Sequence, residues 1–108
     1  MTPSAHQIVF TTCPDRAMAE HIAQTLVAEG LAACVNVLPA MQSFYTWKGK
    51  LESATEHLLL IKSQTHRYAD IQDRVRALHP YELPEIVAVP ITHGLPDYLA
   101  WLNLPDKI

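Results

Sequence analysis

The stretch at residues 31–47 limits the possible folds of this chain more than any other feature. It has no glycine, is rich in Val, Leu, Phe, Tyr, Thr and Trp, and leads through the turn Lys48-Gly49 into a second strand-like run at residues 50–62. Drawn out as one strand at about 3.3 Å per residue, residues 31–47 would reach roughly 56 Å. A compact domain of 108 residues has a radius of gyration near 13 Å and a diameter of roughly 35 Å. The strand must bend, break or protrude, and a break at Pro39 with protrusion of the far half is expected. That half carries Phe44, Tyr45, Trp47 and Leu51, an apolar tip whose natural cover is another copy of the chain. The alternative is a hairpin curled back over its own sheet.

The remaining elements fall on either side of this hairpin. Residues 7–12 form a β-rich run that stops at Cys13-Pro14-Asp15, with Pro14 suited to a first helical position. Met18, Ile22 and Leu26 repeat at helical spacing up to Gly30. Ser63 or Thr65 is the expected cap of a second helix whose stripe is Tyr68, Ile71, Val75 and Leu78, ending at His79-Pro80. A last strand follows at residues 85–92, then a short helical element at 98–102. The order strand, helix, strand, strand, helix, strand predicts an α+β, ferredoxin-like antiparallel sheet with both helices on one face, in a single domain spanning residues 1–108. In the strand order 4-1-3-2 the two proline-containing strands fall at the edges, where a missing N–H is tolerated. Interrupted edges can pair with neighbouring chains in a closed assembly.

Composition narrows the function. Eight Lys plus Arg against eleven Asp plus Glu give a net charge of -3, without the positive field that phosphate-backbone binding uses, so no nucleic-acid partner is expected. The longest apolar runs, residues 31–35 and 98–102, are far short of the roughly 20 residues of a membrane helix, so no membrane partner is expected either. The N-terminal residues have neither a basic segment nor an apolar signal core, which predicts a cytoplasmic protein with reduced thiols.

The topology places Cys13, His79, Glu82 and Glu85 at one rim of the sheet and Cys34 toward the other end, so two free thiols are expected. Thiolate, imidazole and carboxylate would suit a soft or borderline ion such as Cu or Zn. There is no Cys-x-x-Cys, His-x-His or His-Glu-x-x-His motif, and helix-start, cap and rim roles account for these residues more readily than a metal site does. No Gly-x-Ser-x-Gly or glycine-rich phosphate loop occurs, and Cys13 has no evident base partner, so no enzyme is expected.

Four segments, 31–36 (LAACVN), 45–50 (YTWKGK), 60–63 (LIKS) and 79–86 (HPYELPEI), resemble the CutA divalent-cation tolerance family in order and spacing from about the first strand to Trp101. The resemblance implies a homotrimer related in architecture to PII-type proteins, its hairpins clasping neighbouring subunits, with no required cofactor and no general enzymatic activity. It implies tolerance of copper or another divalent cation, with weak metal binding through His79. In the family members best associated with copper, a cysteine stands where this chain has Thr11, and two adjacent histidines stand where it has Leu78 and His79. Cys13, two residues along and on the same strand face, is the expected substitute. A PII-like module would instead take a small ligand or partner protein in an inter-subunit cleft. Trp47, Tyr45, Lys62, Tyr81, Glu82 and Glu85 are the candidates for that cleft or for the interface.

Overall fold

The computed structural model describes residues 4–107. Along the chain come β1 (His6–Cys13), α1 (Arg16–Ala28), β2 (Cys34–Val37), β3 (Met41–Trp47), β4 (Lys50–Gln64), a 3-10 turn (Thr65–Arg67), α2 (Tyr68–Leu78), β5 (Ile86–Pro90), α3 (Pro96–Trp101) and a second 3-10 turn (Leu104–Lys107). All strand pairs are antiparallel, in the order β2-β4-β1-β5, and β3 pairs with the outer half of β4.

Alternation along β1 fixes which face is covered. Gln7, Val9, Thr11 and Cys13 are buried, with Val9 opposite Ile61 and Thr11 opposite Leu59 of β4. Against this face α1 packs Ala19, Ile22 and Leu26 and α2 packs Ile71 and Val75, forming one core. Ile8, Phe10, Leu58 and Leu60 alternate onto the other face and are only half-buried, while Val87 and Val89 of the edge strand are exposed.

The long strand breaks where proline interrupts it. β2 ends at Val37 and β3 begins at Met41, with Leu38 N–H still bonded to the Leu58 carbonyl at 2.8 Å. Beyond the break only β3 and β4 pair, and residues 44–53 are exposed throughout. This arm lengthens the molecule to 44 Å against 31 and 23 Å in the other directions. Lys48 and Gly49 close it with φ of 51° and 80°, the two left-handed residues of a type I′ turn.

Three local expectations change. Asp15, not Pro14, governs the start of α1: its carboxylate accepts the Met18 N–H at 2.8 Å, leaving Pro14 just outside the helix. Neither Ser63 nor Thr65 caps the second helix. β4 continues to Gln64 and buries Ser63, which accepts a hydrogen bond from Gln7 Nε2 at 3.3 Å, while Thr65 Oγ1 donates to the Ser4 carbonyl at 2.8 Å. A 3-10 turn then starts the helix. The last strand is also shorter than residues 85–92, with Pro90 as its final residue.

Thr11 is fully buried and its hydroxyl has no hydrogen-bond partner. An unsatisfied buried hydroxyl costs about 1–3 kcal/mol. Thr11→Val keeps the β-branched shape and should raise the unfolding free energy by about 1 kcal/mol; urea denaturation checks it, and a less stable variant refutes it.

Candidate functional site

The exit of α2, the end of β1 and the base of the β3–β4 arm are joined through His79. It is the C-cap of α2, its own N–H bonded to the Val75 carbonyl at 2.8 Å, and Pro80 prevents the helix from continuing. Its ring is buried. Nδ1 accepts the Tyr81 N–H at 3.1 Å, which assigns the proton to Nε2, and Nε2–H donates to the Thr12 carbonyl at 2.6 Å.

This clamp sets the path of Tyr81. The phenol ring lies 4.7 Å from the His79 ring, and its hydroxyl donates to Glu56 Oε2 at 2.9 Å. Glu56 is more than nine-tenths buried. Burial, then the bond to Glu56 and its negative charge, push the Tyr81 phenol above its usual range, so the hydroxyl stays protonated as a donor.

Next to this pair opens a cleft of about 650 Å³. Five of the six residues expected from sequence line it: Trp47, Tyr45, Tyr81, Glu82 and Glu85. Lys62 does not. It faces Ile8 of β1 and Cys34 of β2, and its Nζ lies 5.9 Å from the Tyr98 ring centroid. It shares a strand face with Glu56, but six positions along a strand amount to about 20 Å. Sequence reasoning missed Glu56, Phe44, Ser43, Thr12 and Leu83, which complete the lining. The one available signal was Glu56 itself, a carboxylate continuing the stripe of Leu58 and Leu60.

Cys13 and His79 do meet, with Sγ 3.9 Å from Nε2. Thr11 is buried with Cys13 on the helix-facing side of β1. A base is therefore within reach of the Cys13 thiol, but it is committed elsewhere. Both His79 nitrogens are already bonded, and burial, reinforced by Asp15 and Glu56, pushes the Cys13 thiol up to about 11. Glu82 and Glu85 line the cleft, and the anticipated four-residue metal cluster is not formed. Among the described residues no three His, Cys, Asp or Glu side chains converge to hold a metal ion. Cys34, at the start of β2, is free, as is Cys13. No helix of the described residues is long and apolar enough to cross a membrane.

Comparison with known proteins agrees with this architecture. The family described as CutA1 divalent ion tolerance protein matches residues 7–104. The divalent-cation tolerance protein CutA of Thermus thermophilus is 48% identical over 97 residues, covering 90% of this chain and 94% of the relative. A CutA homolog of Xenopus laevis is 47% identical over 94 residues, and the alignment covers 87% of this chain but 62% of that longer relative. The crystal structure of CutA from Xylella fastidiosa superposes with a TM-score of 0.91 at 47% identity, covering 94% of this chain and 98% of that one. The chain belongs to the CutA1 divalent ion tolerance protein family.

Proposed function

We propose that this protein is a non-catalytic binding protein of divalent-cation tolerance, a ferredoxin-like, PII-like homotrimer in the cytoplasm, whose working site is the cleft beside Glu56 and Tyr81. The observation that carries this reading is the cleft itself: one concavity of about 650 Å³ gathers three glutamates and four aromatic side chains around a hydrogen-bonded Tyr81–Glu56 pair. The exposed apolar arm, with Phe44 72% and Leu51 80% accessible, and the half-covered sheet face beside Val87 and Val89 supply the surface for the trimer.

Copper or another divalent ion binds weakly at Cys13 and His79. Coordination there must remove a thiol proton held to about pH 11 and release one His79 hydrogen bond. Copper affinity at this pair should accordingly rise with pH, by up to about tenfold per unit below the thiol pKa. Isothermal titration of Cu(II) into the wild type, Cys13→Ser and His79→Gln at two pH values tests it. Loss of the pH-dependent binding in both variants is expected, and unchanged binding in both removes the pair as a site.

A further inference from the structure

The cleft has a chemical bias beyond being a ligand site. Glu56, Glu82 and Glu85 line it, and no Lys or Arg is among its lining residues. Three carboxylates without a lining countercharge favour a cation. A bare metal ion is a poor match, because among the described residues these groups do not converge as a three-ligand set and the cavity is far larger than an ion with its coordinating oxygens. Much of the remaining wall is aromatic: Trp47 and Tyr45 come from the arm, Tyr81 from the loop after α2. Aromatic faces attract organic cations through the ring quadrupole, and carboxylates accept their N–H donors. Trp47 already shows this behaviour, with Lys48 Nζ 5.8 Å from its ring centroid.

Glu56 sets the depth of the site. One oxygen accepts the Tyr81 hydroxyl at 2.9 Å, and no bond from a described residue reaches the other. A buried carboxylate with a spare acceptor at the floor of an aromatic cavity rewards a ligand that brings an N–H donor with a positive charge.

Resting on the proposal that the cleft is the working site, we infer that its ligand is a small organic cation with N–H donors, an alkylammonium or alkylguanidinium, stacked against Trp47 and hydrogen-bonded to the cleft glutamates. Agmatine, which has one group of each kind, is the cationic probe; N-butylacetamide and butyrate serve as neutral and anionic counterparts. Binding is read by protein-observed amide and indole NMR shifts in the assembled wild-type protein, and in Glu85→Gln and Trp47→Leu.

Agmatine should shift the Trp47 indole and the Tyr81 and Glu82 amides, more strongly at low salt, and bind about tenfold more weakly to each variant. Shifts produced by butyrate or the amide but not by agmatine overturn the cation assignment and leave the cleft as a site. An absence of cleft shifts with all three probes overturns the site as well. Agmatine binding that is equal in wild type and both variants places the cation elsewhere and also overturns the inference.

Discussion

Ile61→Ala is expected to lower the unfolding free energy by about 3–4 kcal/mol, the range for deleting a fully buried branched side chain that its surroundings cannot close over. Ile61 has no accessible surface and sits mid-strand in β4, flanked by Val9 of β1 and Val35 of β2, beneath the two helices. Hydrogen bonding on both sides keeps β4 from moving to fill the void. Leu51→Ala at the arm tip provides the contrast. In an isolated chain an 80%-exposed leucine contributes within about 0.5 kcal/mol. Covered by a sister subunit, it would cost about 1–3 kcal/mol and shift the assembly equilibrium. Chemical denaturation of both variants over a range of protein concentrations separates the two effects. A near-neutral Ile61→Ala contradicts the packing described, and a neutral Leu51→Ala contradicts trimer cover of the arm.

Alkaline pH should destabilise the protein through Cys13. The thiol titrates near 9.0 ordinarily and near 11 in the fold. Below pH 9 both folded and unfolded chains hold the proton, and this stability is fully present. Between pH 9 and 11 the unfolded chain ionises while the folded one cannot, so stability falls, by about 2–3 kcal/mol over a shift of this size. Tyr81, also raised, extends the loss in the same direction above pH 10. Cys13→Ala removes the first component only. Urea midpoints for wild type and Cys13→Ala from pH 7 to 11 should converge as the pH rises; parallel curves would show that the thiol is not held neutral by the fold.

Much of the fold was legible because short-range rules and topology agree here. Pro39 marks the break between β2 and β3, Gly30 with φ of 73° ends α1, and Lys48-Gly49 closes the arm. The helix-start details were less legible because Ser63 and Thr65, capable caps by type, are taken up by long-range partners, Gln7 and Ser4. The cleft was legible in its aromatic and loop residues and illegible in its floor. Glu56 looks like one more polar strand residue until Tyr81, 25 positions later, donates to it. Lys62 lies outside this cleft, about 20 Å along β4 from Glu56, and the inter-subunit cleft it was expected to line belongs to the assembly, not to one chain. Topology did predict that Cys13 and His79 meet. It could not reveal that the imidazole is occupied on both nitrogens, because that depends on the local path through Pro80 to Tyr81.

Native mass spectrometry of protein purified from its own cells without added metal bears on the assembly and its ligand together. The expected species is an assembly of three 12.1 kDa chains carrying an organic, metal-free adduct that is lost in Glu56→Gln. An assembly that carries no organic adduct, an adduct that survives Glu56→Gln, or a bare single chain would refute the cleft as the working site of a trimer.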